Sequence, residues 1–93
     1  MRKIRYTAQF KRDFKRIKKS GRYRNVAGEL SMALELLARD HALPARYYDH
    51  ALYNNWQDHR DCHLKPDLIL IYRKPDHVYL DLVRLGSHSD LSL

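Results

Sequence analysis

Residues 66–72 read Pro-Asp-Leu-Ile-Leu-Ile-Tyr, and this short segment decides the fold class of the chain. Its last five residues are apolar without any polar alternation, a pattern typical of a β-strand that is covered on both faces. The run is far shorter than the ~20 apolar residues that a membrane helix needs. The segment therefore predicts a central strand, and its neighbouring strands and covering helices must come from the sequence on either side.

Strands are predicted on both sides of this segment. Residues 74–77 (Lys-Pro-Asp-His) place proline second in a four-residue turn, so residues 78–85 should return as an antiparallel strand. On that strand Val78, Leu80 and Leu82 would face one way, and Arg84 comes next on the same face. Upstream, residues 56–64 can be interpreted as a strand with two different faces. One face would carry Trp56, Asp58, Arg60, Cys62 and Leu64, and the other Gln57, His59, Asp61 and His63.

The N-terminal half predicts a short strand followed by two helices. Residues 2–6 alternate in the manner of a half-buried strand, and Thr7 is a suitable N-cap for a helix that ends near Gly21. A second helix is predicted from Val26 to Arg39, with Met32 and Leu36 outside its apolar stripe. That stripe consists of Val26, Leu30, Ala33, Leu34 and Leu37. The fold class is therefore α+β, with an N-terminal strand and helical hairpin packed on a small, largely antiparallel sheet.

Composition limits the class of protein further. The chain has 93 residues, of which 44% are hydrophobic, so we expect one folded domain spanning residues 1–93. The single cysteine, Cys62, excludes a disulfide-stapled secreted scaffold and an all-cysteine zinc site. The basic residues at the N-terminus are not followed by an apolar segment, so no signal peptide is predicted. We expect a cytoplasmic protein with no membrane partner.

The charge of the chain is unevenly distributed. Eighteen Lys and Arg against eleven Asp and Glu give a net charge of +7. Residues 1–24 hold eleven of the bases and one acid, Asp13, for a balance of +10, whereas residues 25–93 have seven bases and ten acids, for −3. The basic part predicts a polyanion or an acidic protein as partner. Its core is an arc on the first helix, interpreted as a phosphate-binding face or alternatively as a solvated surface. The RNA-binding candidates on this arc are Lys11, Lys15, Lys18, Lys19 and Arg22.

Histidines and aspartates concentrate around the predicted strands. The cluster contains the residue types that general acid–base catalysis requires, because imidazole can both accept and donate a proton near neutral pH. Its members are His50, His59, Asp61, His63 and Asp67. A metal site on His59, Asp61 and His63 is a minor alternative, since their spacing matches no zinc motif. We therefore predict neither a metal nor a cofactor.

Two further features fit the same chemistry. Arg84 would either form a buried ion pair with an aspartate or bind a phosphate through its planar guanidinium. The tail from Gly86 to Asp90 leaves the strand two residues later and would bring His88 near an anion at Arg84. Such a set could cleave RNA, because the 2′-hydroxyl supplies the nucleophile and the protein supplies a base, an acid and positive charge.

From Asp49 onward the order of residues resembles the YafQ branch of the RelE/ParE superfamily, the toxins of bacterial type II toxin–antitoxin pairs. The similarity covers about half of the chain. One departure is Ser92, because the family commonly has phenylalanine after the terminal leucine. The matching residues are Asp49-His50-Ala51-Leu52, Trp56, Arg60-Asp61, His63, Pro66-Asp67, Leu70-Ile71-Tyr72, Arg84 and Gly86-Ser87-His88-Ser89-Asp90-Leu91.

The resemblance implies a metal-independent endoribonuclease that enters the ribosomal A site, cuts translated mRNA and is neutralised by a cognate antitoxin. By position, it implies that His50, His63, Asp67 and His88 form the catalytic set. We assign His50, His63 and Asp67 to a proton-accepting and positioning network and His88 to the general acid, and an exchange of these individual roles would leave the hypothesis unchanged. Arg84 would stabilise the phosphate. Two other functions remain open: a ParE-like toxin that inhibits gyrase by binding, and a plain RNA- or ribosome-binding module.

Overall fold

The computed structural model describes residues 1–93 as a five-stranded sheet with two helices packed on one face. The strands are β1 (Lys3–Tyr6), β2 (His50–Ala51), β3 (Arg60–Lys65), β4 (Leu68–Arg73) and β5 (Tyr79–Gly86). The helices are α1 (Ala8–Ser20), α2 (Val26–Ala38) and the short α3 (His88–Leu91), with single 3₁₀ turns at Ala45–Tyr47 and Asn54–Trp56. None of the three helices has the length and apolar character needed to cross a lipid bilayer.

The sheet has the order β1-β5-β4-β3-β2, and the α+β prediction is confirmed. All neighbouring strands are antiparallel except β1 and β5, which run parallel. Strand β4 lies at the centre, and its residues from Leu68 to Tyr72 are buried as predicted. Leu68, Leu70 and Tyr72 belong to the main core beneath α1 and α2, whereas Ile69 and Ile71 pack with Leu91 of α3 in a second cluster.

The two long helices follow their sequence signals closely. The Thr7 side chain accepts a hydrogen bond from the backbone N–H of Phe10, and Gly21 ends α1 with a φ of 66°. A positive φ carries no steric penalty at glycine, which explains the stop at this residue. All five residues predicted for the core face of α2 are buried, and Met32 lies outside that face, 56% exposed. Helix α2 ends at Ala38, one residue earlier than predicted.

The strand predicted at residues 56–64 begins only at Arg60. Trp56 belongs to the 3₁₀ turn, and Asp58 adopts a φ of 66°, a left-handed conformation that a strand cannot contain. His59 therefore precedes the strand, and it does not share a strand face with Asp61 and His63. Its ring packs against the indole of Trp56 instead.

The predicted alternation of β5 is wrong at both ends. Val78 lies in the loop before the strand, 47% exposed. The β4–β5 register shifts between Ile71 and Tyr72, which pair with Arg84 and Leu82, so Val83 is an extra residue. Because this bulge breaks the period of two, Leu85 and not Arg84 follows Leu82 into the main core.

Candidate active site

His88 is the first residue of α3 and is held by Asp67 from the β3–β4 turn. Its Nδ1 lies 2.8 Å from Asp67 Oδ1, and its backbone N–H donates to the same oxygen at 3.2 Å. Arg22 contacts the other oxygen at 3.1 Å. The side-chain and backbone hydrogen bonds from His88 lower the pKa of Asp67, so this carboxylate is ionised at neutral pH and acts as an acceptor. His88 Nδ1 must then carry the proton, which leaves Nε2 available for reaction.

The local sequence fixes the start of α3, and with it the position of His88. Ser87 and Asp90 form a reciprocal capping box, in which each side chain accepts the backbone N–H of the other residue. Leu91 closes the short helix against Ile69 and Ile71. These contacts anchor the tail, so His88 is held beside the sheet in one position.

His63 on β3 lies next to His88 and brings a second imidazole into the site. The two rings meet edge to face with centroids 5.3 Å apart. The ring of Tyr48 approaches His63 from another side, with centroids 5.7 Å apart. His63 directly precedes a register shift between β3 and β4, where the sheet is locally irregular.

His50 on β2 supplies the third imidazole. Its Nδ1 lies 2.7 Å from the backbone carbonyl oxygen of Tyr48 and 3.1 Å from Oδ1 of Asp61, its cross-strand partner. A carbonyl oxygen can only accept, so Nδ1 carries the proton here as well. His50 therefore has the same arrangement as His88, with Nδ1 fixed by an acceptor and Nε2 free.

Asp61 is the buried carboxyl of the site, with only 2% of its surface exposed. Its Oδ1 has no well-aligned hydrogen-bond donor, although His50 Nδ1 is 3.1 Å away, because the His50 N–H is directed at the Tyr48 carbonyl. Burial raises the pKa of Asp61, and the positive charges that His50, His63 and His88 can carry oppose this rise. Asp61 is therefore placed to balance charge that develops on the imidazoles.

The three histidines line one open groove of about 580 Å³. Of the five predicted catalytic residues, His50, His63 and His88 line it, and Asp67 lies behind His88 as its hydrogen-bond partner. The groove also contains three residues that the sequence analysis missed: Arg46, Tyr48 and Lys65. Only their closeness in sequence to His50 and His63 could have indicated them, because no motif marks them.

Arg84, the fifth predicted catalytic residue, does not line the groove. Its Nε donates to Asp13 Oδ2 at 2.7 Å, and its Nη2 approaches the other oxygen at 3.4 Å. The backbone N–H of Leu85 donates to Asp13 as well, at 3.0 Å. Burial opposes ionisation of Asp13, but the hydrogen bonds from Arg84 and Leu85 outweigh it and lower its pKa. Of the two interpretations of Arg84, the structure shows the ion pair, while Nη1 has no partner in the chain.

Of the five predicted RNA-binding residues of the basic arc, four lie on α1 and one lies beyond its end. Lys11, Lys15, Lys18 and Lys19 are all exposed along the helix. Arg22, however, lies beyond the last helical residue, Ser20, and it pairs with Asp67 at the groove. The arc and the groove are thus connected through Arg22.

The residues suggested for a metal site do not converge. His59 Nδ1 lies 3.0 Å from the backbone carbonyl of Gln57, outside the sheet. No group of three or more His, Cys, Asp or Glu side chains is placed to hold a metal ion together. In the groove, imidazoles are paired with carboxylates, an arrangement that can move protons.

The chain is a small α+β protein in which a helical hairpin packs on a five-stranded sheet and three histidines line one groove. Comparison with known proteins identifies the family within this class. The family described as "Bacterial toxin of type II toxin-antitoxin system, YafQ" matches residues 2–93. The chain therefore belongs to the YafQ family of type II toxins, and the resemblance noted in the sequence is confirmed.

Individual relatives agree over almost the whole length. The chain is 38% identical to the mRNA interferase toxin YafQ of Escherichia coli BL21-DE3, over 97% of this chain and 95% of that protein. A metal-bound toxin from Helicobacter pylori has a TM-score of 0.86 at 40% identity, covering 98% and 99% of the two chains. The toxin in the E. coli DinJ–YafQ complex gives 0.83 at 36% identity, with 98% of each chain covered.

Proposed function

We propose that this chain is a ribosome-dependent endoribonuclease toxin that cuts translated mRNA by general acid–base catalysis. The observation that carries the proposal is the meeting of His50, His63 and His88 in one groove, with Nε2 of His50 and of His88 left free. The name mRNA interferase, given to relatives that are 37–38% identical, supports the same reaction. Such an activity would be exerted in the cytoplasm, where ribosomes translate.

The proposed reaction is an internal transfer at phosphorus. His50 or His63 removes the proton from the RNA 2′-hydroxyl, whose oxygen then attacks the adjacent phosphorus. The bond from phosphorus to the 5′-oxygen breaks, and His88, as the imidazolium that keeps Nδ1–H on Asp67, donates its Nε2 proton to that oxygen. The products are a 2′,3′-cyclic phosphate and a free 5′-hydroxyl. Asp67 keeps His88 in the required orientation, and its negative charge stabilises the imidazolium form from which the proton is given.

Positive charge is available for the phosphate as it becomes more negative in the transition state. Arg84 keeps one amino group, Nη1, without a partner, and we retain the proposal that it stabilises the phosphate. Its ion pair with Asp13 would then hold the guanidinium in place. The exposed lysines of α1 are proposed to contact the RNA backbone of the ribosome or message.

Primer extension on a message translated in the presence of the toxin tests this function. We expect new cuts with the wild-type chain and none with the double variant His63→Ala, His88→Ala. A matched control is His77→Ala, which removes an exposed histidine in the β4–β5 loop, away from the groove. Cutting that is unchanged in the double variant, or toxicity that survives it, would show that the histidines do not carry the function.

We also propose that a cognate antitoxin binds this chain. The E. coli relative has been crystallised with DinJ in a toxin–antitoxin complex, which supports a partner of the same kind here. The net charge of +7 favours a partner with acidic segments. Co-expression with the protein encoded beside this chain, followed by co-purification and recovery of growth, tests the proposal.

A further inference from the structure

We propose that Tyr48 is the residue on which this chain stacks an RNA base beside the bond that is cut, with Arg46 and Lys65 holding the neighbouring phosphates. This inference rests on the proposed function, since it names how the same groove recognises its substrate. Neither the family resemblance nor the histidine cluster assigns any role to these three residues.

Tyr48 is an exposed aromatic residue inside the groove. Its surface is 70% exposed, although it lines the same groove as His50, His63 and His88. One neighbour, Tyr47, is almost completely buried, so the chain separates an aromatic core residue from an aromatic residue in the groove. An exposed ring at such a position can receive a flat ligand on its face.

The backbone of Tyr48 has a conformation that is energetically unfavourable for a large side chain. Tyr48 has φ 47° and ψ 43°, the left-handed region that bulky residues rarely occupy. Strained residues of this kind cluster at functional sites. The carbonyl oxygen of Tyr48 also fixes Nδ1 of His50 at 2.7 Å. The conformation of one residue thus sets both the tyrosine ring and the proposed base.

The two positively charged side chains near Tyr48 indicate that a ligand of this groove would carry negative charge. Arg46 and Lys65 line the groove, and neither forms an ion pair with a carboxylate in the chain, although Arg46 Nη2 donates to the Tyr47 hydroxyl at 3.3 Å. The nearby acidic groups are already occupied or buried: Asp49 accepts from Arg60 and Tyr72, Asp67 accepts from His88, and Asp61 is buried. A ligand that is both planar and anionic fits this combination, and a nucleotide of single-stranded RNA is such a ligand.

Two substitutions at position 48 separate the ring from the backbone. Tyr48→Phe keeps the ring, whereas Tyr48→Asn removes it and introduces a residue that tolerates the left-handed conformation well. The asparagine variant should therefore fold at least as stably as the wild type. The matched control is Tyr53→Ala, because Tyr53 is 78% exposed but does not line the groove.

The first measurement is cleavage by each variant on ribosomes that carry a translated message, at increasing toxin concentration. We expect Tyr48→Asn to raise the half-saturating concentration about 5- to 150-fold, the range that one stacked base is worth. Tyr48→Phe and Tyr53→Ala should stay close to the wild type. Equal cleavage by Tyr48→Asn and the wild type would overturn the inference while the nuclease function stands.

The second measurement reports stacking without any cleavage. The message carries 2-aminopurine in the A-site codon and 2′-O-methyl groups that block the reaction, and fluorescence is followed as toxin is added. The wild type and Tyr48→Phe should quench the fluorescence, and Tyr48→Asn should not. Quenching by a wild type that cuts no unblocked message would contradict the proposed function but not the role of Tyr48. Absence of quenching by the wild type would overturn the role of Tyr48.

A protein partner in this groove is the competing outcome. If Tyr48→Asn weakens inhibition by the antitoxin while cleavage and quenching stay at wild-type levels, the ring belongs to the antitoxin interface and the inference is wrong.

The proposed phosphate contacts of Arg46 and Lys65 are tested by a separate measurement. Replacing Arg46 or Lys65 by Gln should each reduce the slope of the log half-saturating concentration against log salt by about one. An unchanged salt dependence would remove these two residues from the proposal.

Discussion

At the scale of single residues, the site depends on which ring nitrogen of His50 and of His88 forms a hydrogen bond within the protein. Nδ1 of His88 faces Asp67 at 2.8 Å, and Nδ1 of His50 faces the Tyr48 carbonyl at 2.7 Å. Both acceptors fix the tautomer and the rotation of the ring, so Nε2 is presented to the groove. Asp61 differs from these acceptors, since it is buried and has an oxygen without a hydrogen-bond donor.

Replacing Asp61 by asparagine should stabilise the fold and slow the reaction. Burial raises the pKa of Asp61, so its charge at neutral pH costs folding free energy, and we expect Asp61→Asn to increase the free energy of unfolding by about 1 kcal/mol. Cleavage should fall about tenfold, because the negative charge that balances the proton taken up by His50 is lost. Urea unfolding and single-turnover cleavage measure the two effects.

The control is Asp58→Asn, which removes an exposed carboxylate at a position where asparagine tolerates the positive φ. It should change neither quantity. A loss of stability in Asp61→Asn would show that the carboxylate is well solvated or paired in solution, contrary to the structure.

Replacing Arg84 by methionine should destabilise the protein, because the nearly buried Asp13 then loses its closest charged partner and keeps only Arg16, at 3.5 Å. Breaking a buried pair in this way costs about 3–5 kcal/mol, and partial exposure of Arg84 places the expected loss near the lower end. The pKa of Asp13 is lowered in the folded state. The decrease in the free energy of unfolding should therefore have its full size above pH 4 and become smaller as the pH falls. Urea unfolding at pH 7 and pH 3 checks both statements.

A loss that is equal at the two pH values would contradict the ion pair as its source. Arg84→Lys is the conservative comparison, since it keeps the charge but not the two-nitrogen contact. If this variant is stable yet cleaves slowly, the guanidinium has a catalytic role in addition to its structural one.

At the scale of elements, most site residues lie at helix ends, in turns or on an edge strand, whereas most core residues lie within the regular helices and strands. His88 starts α3, Asp67 lies in the turn between β3 and β4, and His50 belongs to the two-residue edge strand β2. Helix α1 has both functions, since Phe10 and Ile17 are buried while its lysines remain exposed. Loops and strand ends can change side chains without disturbing packing, which suits them to recognition.

Neutralising Lys15 and Lys19 on α1 should weaken binding to the ribosome without affecting the chemical step. Each lost phosphate contact should reduce the slope of log affinity against log salt by about one unit. Cleavage at saturating toxin should remain unchanged, because neither lysine lines the histidine groove. Pelleting with ribosomes at several salt concentrations measures the slope, and an unchanged slope would make the arc a merely solvated face.

At the scale of the whole molecule, carboxylates connect distant parts of a strongly basic chain. Asp13 joins α1 to β5, Asp40 joins the end of α2 to Arg2 and Lys74, and Asp67 joins Arg22 to His88. These acids neutralise bases that would otherwise repel one another. The tertiary fold therefore depends on ionised aspartates.

We expect the protein to lose stability as the pH falls from about 4 towards 2. Five aspartates have a lowered pKa in the folded state, and for Asp40, held by Lys74 and Arg2, the pKa is about 2. The others are Asp13, Asp67, Asp76 and Asp90. An unfolded chain binds more protons than the folded one in this range, so acid favours unfolding. Asp61, with a raised pKa, acts in the opposite direction.

Thermal melting followed by circular dichroism between pH 7 and pH 2 checks this dependence. The Asp40→Asn variant should have a lower melting temperature at pH 7 and a smaller decline towards pH 2. A melting temperature that stays constant down to pH 2 would contradict the role of these carboxylates.

The sequence by itself determined the central strand, the limits of α1, the core face of α2 and the concentration of histidines near the sheet. These features depend on hydrophobic period and on capping residues, which act over a few positions. The tertiary structure alone decided the pairing of Arg84 with Asp13, 71 positions away, and the bulge at Val83 that redirects β5. It also excluded His59 from the site and brought Tyr48, Arg46 and Lys65 into it. Such placements follow from positive-φ residues, register shifts and long-range ion pairs, whose partners are set only when the chain has folded.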